Sequence, residues 1–429
     1  MITVIDSIMG SGKTSFMIDY INTSHQEALG SCFGDEPLEA PKFIYVAPLL
    51  SEVDRISEAC PGLQFRDPQP VQGRKLYHLS SLVEQGANIC TTHALFKSLT
   101  KDICQKIKEQ NYVLIIDEAL ECVSIFDELS PSDREILFRD NLIYVEEGTN
   151  RVRWNHKDNK KYSGKFNHIR DLCDNGNLVH FRSTVMLWEF PTDFIQSFSD
   201  VFVLTYLFSG SPMAAYLQAE GLEYDVRTIR AGELIAQTEA DETEIKARLR
   251  RLIHIYEGSL NKCGESTNRA NPFSATWLGY GSAERLKTLK AIKATTEYFF
   301  KSVAGTLATE NAWTTFSGAK RYLSGERYTR GFIPCNAKAT NEHRHKKSLA
   351  YLCNVFYNPY IKGYFEDRGI VVDEEAYALS EMIQWIWRSQ IRDGKPITVF
   401  APSDRMRGLL VEWLYGSEDS QCGEVRLAA

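Results

Sequence analysis

Short apolar runs separated by polar stretches bearing glycine and proline recur along the first half of the chain, and each run predicts a buried strand. Ile2-Thr-Val-Ile-Asp6 is the first. It leads into Ser7-Ile-Met-Gly-Ser-Gly-Lys-Thr14, a glycine-bearing loop, and residues 15–21 have the apolar spacing of a helix start. Residues 22–41 read as a polar surface loop, and Phe43-Ile-Tyr-Val-Ala-Pro48 as a strand that its proline stops. A helix over 49–60, the strand Asn88-Ile-Cys-Thr-Thr92 and a helix from Ala94 to Lys108 follow. Tyr112-Val-Leu-Ile-Ile-Asp117 is apolar on both alternating faces, as a strand covered on both sides must be. Asp200-Val-Phe-Val-Leu-Thr205-Tyr-Leu-Phe208 repeats that character. Strands alternating with helical spacing predict an α/β fold with parallel sheets.

Residues 128–200 interrupt the repeat. Within them Leu142 to Trp154 alternates on either side of Gly148 and predicts a hairpin. The punctuation restarts past residue 215, which sets the expected division at 1–215, carrying the insertion, and 216–429. In the second part the spacing predicts helices over Glu244–Tyr256, Ala283–Val303 and Tyr377–Arg392, and a strand over Ile397–Ala401. The first two of these helices are basic, and are expected to be solvated outer faces of core helices.

Composition narrows the class. At 429 residues with 43% hydrophobic and 24% charged content the chain can bury two sizeable cores. A net charge of −7 means that any polyanion must be met by local basic patches rather than by a global field. Ten cysteines without a C-x-x-C pair or zinc spacing predict reduced thiols. A first strand beginning at Ile2 leaves no room for a targeting segment, and no apolar run reaches the roughly 18 residues of a spanning helix. The expectation is an intracellular, cytoplasmic protein without membrane contact.

The first loop carries the candidate chemistry. Gly10 and Gly12, on either side of Ser11, let backbone N–H groups turn inward around phosphate oxygens, and the helix that follows points its positive N-terminus at them. Lys13 then reaches β- and γ-phosphates, and Thr14 ligates Mg²⁺. Ser7 stands where such a loop usually has its first glycine. At the end of the run Tyr112–Asp117, the form of a Walker B strand, Asp117 is suited to hold that same Mg²⁺ and Glu118 to polarise the attacking water. Thr205 puts a hydroxyl at a strand end, where it can sense a γ-phosphate. Arg151, Arg153, Lys157, Lys160, Lys161, Lys165 and Arg170, with Trp154, Tyr162 and Phe166 interleaved and Asp158 the one acid, have the composition of a nucleic-acid contact. Helical spacing places Gln384, Arg388 and Arg392 on one face, where guanidinium groups can reach an anionic γ-phosphate.

Taken together, Ser7–Thr14, Tyr45-Val-Ala-Pro48, Thr91-Thr-His93, Ile115-Ile-Asp-Glu-Ala119, Leu204-Thr-Tyr-Leu-Phe208 and Gln384-x-x-x-Arg388-x-x-x-Arg392 resemble motifs I, Ia, Ib, II, III and VI of superfamily two helicases. More closely, the chain resembles the compact DEAD/DEAH-like helicase-type ATPases of bacteriophages. The resemblance spans nearly the whole chain. It implies two RecA-like P-loop domains with ATP in a cleft between them, and ATP and Mg²⁺ as cofactors. It implies further that Thr205 couples the nucleotide to movement, that Gln384 and Arg388 or Arg392 assist catalysis, and that Pro48, Thr92 and His93 join the basic segment on nucleic acid.

The expected activity is a nucleic-acid-dependent ATPase, a helicase or translocase that couples hydrolysis to movement on DNA or to its unwinding. DNA ranks ahead of RNA as partner, with replication, recombination or repair proteins as further partners and the bacterial host cytoplasm as location. Two alternatives stay open. A terminase-type packaging motor shares motifs I and II but requires an acidic nuclease cluster that the second half does not display. An NTP-gated adaptor would bind nucleic acid without appreciable turnover.

Overall fold

The computed structural model describes residues 1–31, 40–157, 162–237, 242–265, 271–279, 283–337, 342–416 and 427–428. They gather into two units. One comprises Met1–Ser7, Ser11–Ala236 and Asn358–Val372; the other comprises Ile8–Gly10, Gln237–Tyr357 and Asp373–Ala429.

In the first unit the chain lays down β1 (Ile2–Asp6), β2 (Lys42–Ala47), β3 (Ile89–Thr92) and β4 (Tyr112–Asp117). It then makes β5 (Val123–Ile125), β6 (Ile143–Val145), β7 (Val152–Trp154), β8 (Leu178–Phe181) and β9 (Val185–Glu189) before returning with β10 (Asp200–Thr205), β11 (Tyr224–Arg230) and β12 (Glu233–Ala236). The main sheet has the order β12-β11-β1-β10-β4-β2-β3, parallel except for the β11–β12 hairpin. Its central runs are apolar on both faces because both are covered: the helices Lys13–Ser31 and Leu50–Ala59 bring Met17, Ile21, Val53 and Ile56 onto Ile5, Tyr45 and Ile115. The insertion makes two small antiparallel sheets, β5-β9-β8 and the expected hairpin β6-β7. It begins at Val123, a few residues earlier than its polar composition suggested.

The second unit holds β13 (Ile253–Glu257), β14 (Asn311–Thr314), β15 (Ser348–Tyr351), β16 (Ile397–Phe400) and β17 (Leu427–Ala428), all parallel, in the order β14-β15-β16-β13-β17. In both sheets the first strand lies between the last two parallel strands of its unit: β10 and β11 flank β1, and β16 and β17 flank β13. Each unit therefore has the topology of a RecA-like sheet, and the first adds β3 as an extra edge strand.

Five expectations change. Residues 22–31, expected to be surface loop, continue the first helix to Ser31. The division at 215 falls within the first sheet, because β11 pairs in parallel with β1 and brings β12 with it. The helix expected over 94–108 is two, His93–Phe96 and Lys101–Glu109, broken where Thr100 takes an extended conformation (φ −117°, ψ 160°). The helix expected over 244–256 ends at Arg250, and its last residues are β13, whose β-branched Ile253 and Ile255 are buried against β16. The helix expected to reach Arg392 ends at Ile386. There Ser389 donates to the Ile386 carbonyl at 2.7 Å and accepts from Ile391 N, which diverts the backbone into a 3₁₀ turn over Gln390–Asp393.

A strap from late in the chain completes the first unit. Asn358 caps the helix Pro359–Glu366, and beyond it Asp367 takes a two-pronged contact from Arg182 at 2.6 and 3.0 Å. Tyr364 donates to Glu189, whose side chain is 0% exposed and also meets Arg151 at 2.6 Å and Arg368 at 3.5 Å. A buried carboxylate with two guanidinium partners and a phenol is costly to break from one side. Glu189→Ala leaves Arg151 without its counter-charge, while Arg368 keeps Glu220 at 2.7 Å, so the account predicts a loss of about 3 kcal/mol in the denaturant unfolding of this unit. A loss below about 1 kcal/mol would show that the strap is held by other contacts.

Candidate nucleotide site

Parallel strands in register set the site. Asp6 lies opposite Thr205 and Leu204 opposite Asp117, so the carboxyl ends of β1, β10 and β4 stand side by side, about 4.8 Å apart from strand to strand. The glycine-bearing loop leaves β1 at this edge. Gly10 and Gly12 have φ of 82° and 91°, the left-handed region in which successive N–H groups form a concave anion nest. The helix Lys13–Ser31 starts directly after them, with Phe16 N bonded to Gly12 O at 2.8 Å. Lys13 Nζ donates to the Ser7 carbonyl, which folds the side chain back along its own loop. Ser11 and Thr14 are half-buried on this turn.

Ser7 accounts for its own presence. Its hydroxyl accepts from Ile229 N at 3.0 Å and bonds the Thr228 hydroxyl at 2.8 Å, while its N–H donates to Thr205 O at 3.1 Å. A glycine there would lose the ties to β11. Asp6 accepts from Leu207 N and Phe208 N at 2.8 and 3.0 Å, which pins the turn after β10. Sequence reasoning saw Ser7 only as a replaced glycine and missed Asp6, although a carboxylate ending the first buried strand was its visible signal.

Asp117, the residue expected to hold a metal, ends β4. Burial raises its carboxyl above the ordinary carboxylate range, against the hydrogen bond from Tyr45 and the fields of Arg55 and Lys13. Tyr45 donates to Asp117 Oδ2 at 2.9 Å and its own phenol is pushed well above the usual value, chiefly by burial. Tyr45 was not among the expected site residues; it was read as part of the second strand and of the stretch that resembles motif Ia. Mg²⁺ takes one or two protein oxygen ligands beside substrate phosphates, and the Thr14 hydroxyl and the half-buried Asp117 carboxylate are oxygen donors of that kind. Among the described residues no group of three or more His, Cys, Asp or Glu side chains could hold a metal. Glu118 has φ 65°, a left-handed conformation costing a non-glycine residue on the order of 1–3 kcal/mol, and its N–H is fixed to Leu204 O at 2.9 Å.

Other expected residues stand elsewhere. His93 is buried, with Nε2 at 2.8 Å from the Asp117 carbonyl; it braces the site and does not face a nucleic acid. The Thr92 hydroxyl caps its short helix by accepting from Leu95 N, and Pro48 is half-buried after β2. Thr205 is buried at the end of β10. In the insertion, Arg151 is held by Glu189 and by the Gly176 carbonyl at 2.5 Å, Arg153 by Glu146 at 3.0 Å, and Trp154 is 3% exposed with its ring 5.1 Å from that of Tyr162. Those three side chains serve the insertion's own fold, which corrects their reading as nucleic-acid contacts. Lys157 is exposed, and Lys160 and Lys161 lie outside the described residues. Gln384 donates to Ser380 at 3.1 Å on the helix Glu374–Ile386, Arg388 is 6% exposed just beyond it, and Arg392 is exposed on the following 3₁₀ turn. The expected three-residue stripe is therefore broken after Gln384: the helix ends at Ile386, and Arg388 and Arg392 follow on the turns beyond it.

Two family descriptions match parts of the chain. The description of a YonV middle domain matches residues 123–188, the insertion, and that of a YonV C-terminal Rossmann-like domain matches 247–414. The SPbeta prophage-derived uncharacterized protein YonV of Bacillus subtilis (strain 168) is 38% identical over 429 residues, covering 96% of this chain and 98% of the relative. The chain belongs to the YonV family. Among solved structures, one described as apo XPD aligns with 98% of this chain and 99% of its own length at a TM-score of 0.47 and 13% identity. Xpd4 of S. tokodaii aligns with 98% and 95% at a TM-score of 0.46 and 11% identity. Among the described residues no helix is long and apolar enough to cross a membrane.

Proposed function

We propose that this YonV-family protein is a Mg²⁺-dependent ATPase driven by nucleic acid, a helicase or translocase of the superfamily two type acting on DNA in preference to RNA. The observation that carries the reading is the strand order that sets Thr205 between the strand leading into the glycine nest of the first loop and the strand that ends in the half-buried Asp117. In this reading Gly10, Ser11, Gly12 and Lys13 hold the triphosphate, and Thr14 and Asp117 hold Mg²⁺, which shields phosphate charge. Glu118 takes the proton of the attacking water, and Thr205 registers the γ-phosphate. Arg388 supplies the guanidinium that stabilises charge in transfer, with Gln384 one helical turn before it. The prophage origin of the relative supports a phage origin here and a place in the host cytoplasm, beside replication, recombination or repair proteins.

Affinity for a labelled oligonucleotide in different nucleotide states tests the coupling. A motor predicts different affinities with a non-hydrolysable ATP analogue and with ADP, and steady hydrolysis while it moves. Equal affinities in all states contradict coupling. Different affinities without turnover would favour the NTP-gated adaptor.

A further inference from the structure

A basic face on the second unit has no part in the nucleotide site. The helix Ala283–Tyr298 buries Leu289, Ile292 and Thr296 in the core around Trp313 and Phe400, which turns Lys287, Lys290 and Tyr298 outward, and Lys301 follows on the π-helical turn Phe299–Val303. Spacings of three, eight and three residues keep these four positions near one another along the outer side. Alongside lies the segment Lys320–Arg330, pinned where Glu326 N donates to Glu297 Oε1 at 2.7 Å. Here Lys320 stands over the Phe332 ring at 4.0 Å, and Arg327 is exposed. Lys287, Lys290, Lys301, Lys320 and Arg327 form no ion pair with any described residue.

Such a face is unexpected on a chain of net charge −7, where solubility needs no unpaired cations and acidic neighbours are plentiful. From Lys287 to Lys301 it spans about 21 Å at 1.5 Å per residue, the length of about six phosphates along one strand of a duplex. Tyr298, 56% exposed among the lysines, adds a ring on which an unpaired base can stack. Lysines suit this task because phosphate contacts position a polynucleotide without reading its sequence.

We propose that this face is an accessory docking surface for the sugar-phosphate backbone of a nucleic acid, bound independently of sequence. The inference rests on the proposed function and adds where the second unit takes the polynucleotide.

The test uses the full chain, fluorescent single-stranded and duplex 40-mers, and affinity measured across a salt series. Combining Lys287→Ala, Lys290→Ala and Lys301→Ala should weaken binding and flatten the dependence of log affinity on log salt. The flattening should be about 2 on single strands and about 2.7 on duplex if all three lysines meet phosphates. Combining Lys287→Arg, Lys290→Arg and Lys301→Arg should keep the slope, and ATP hydrolysis without nucleic acid should be unchanged in both variants. If wild type binds and the alanine variant shows the same affinity and slope, this surface is overturned while the ATPase reading stands. If the arginine variant is as weak as the alanine variant, the loss is not one of charge and the surface is equally overturned. If wild type binds no polynucleotide even at low salt, both the surface and the proposed function fall.

Discussion

Lys13→Ala should lose both ATP binding and turnover, whereas Glu118→Gln should keep ATP binding and lose turnover. The two substitutions separate because, in the proposed reading, the two side chains act at different stages. Lys13 begins the helix that follows the glycine nest and neutralises phosphate charge already present in the bound substrate, so its loss weakens the ground state. A charged hydrogen bond of this kind contributes about 1.5–3 kcal/mol, which is roughly a 10- to 150-fold loss of affinity. In the proposed reading Glu118 acts on the water alone. Glutamine keeps its size and its backbone bond to Leu204 O but cannot accept the proton, so turnover should fall on the order of 10²- to 10⁴-fold. Equilibrium binding of a fluorescent ATP analogue and steady-state phosphate release on both variants check this. Normal hydrolysis by either one would remove the assigned chemistry.

Arg388→Ala should lower nucleic-acid-stimulated turnover on the order of 10³-fold while ATP affinity changes far less. A guanidinium that meets charge only as it develops on the transferring phosphoryl group contributes to the transition state and little to the ground state. Arg392 was the second candidate, because the spacing of Arg388 from Gln384 keeps the register of the resemblance and the extra residue falls after it. The 3₁₀ turn that Ser389 starts takes Arg392 off the helix that carries Gln384, and it is exposed there, whereas Arg388 is buried one turn beyond Gln384. Arg392→Ala should therefore leave turnover within a fewfold of wild type. Arg388→Lys should rescue poorly, since a point charge lacks the planar two-pronged contact. Near-normal kinetics in both alanine variants would withdraw this segment from the catalytic reading, and a loss confined to Arg392→Ala would transfer the role.

What the sequence made legible follows how each element is stabilised. β1, β2, β4 and β10 are covered on both faces, so they appear as continuous apolar runs ending in the residues that matter, and the glycine loop appears between a strand and a helix. The second sheet was far less visible. β14 and β15 are four residues each, Asn-Ala-Trp-Thr and Ser-Leu-Ala-Tyr, and buried polar atoms at Asn311 and Ser348 break the apolar signal. Residues 253–257 satisfied a helical spacing equally well until parallel pairing with β16 decided for strand. The strap 358–372 joins the first unit through Tyr364, Asp367 and Arg368, contacts nearly two hundred positions away in the chain that no local pattern encodes. The basic composition around Arg151 was read correctly as charge and wrongly as function, because an arginine answering a buried Glu189 has the same letters as one answering a phosphate.

The central claim is that this chain hydrolyses ATP in response to a polynucleotide. The direct measurement is phosphate release by the purified full chain with ATP and Mg²⁺, as single-stranded DNA, duplex DNA and single-stranded RNA are each titrated in. The account predicts slow basal release that rises severalfold and saturates with at least one of them, DNA first, and that vanishes when Mg²⁺ is chelated. No Mg²⁺-dependent release above buffer with any of the three polymers would contradict it.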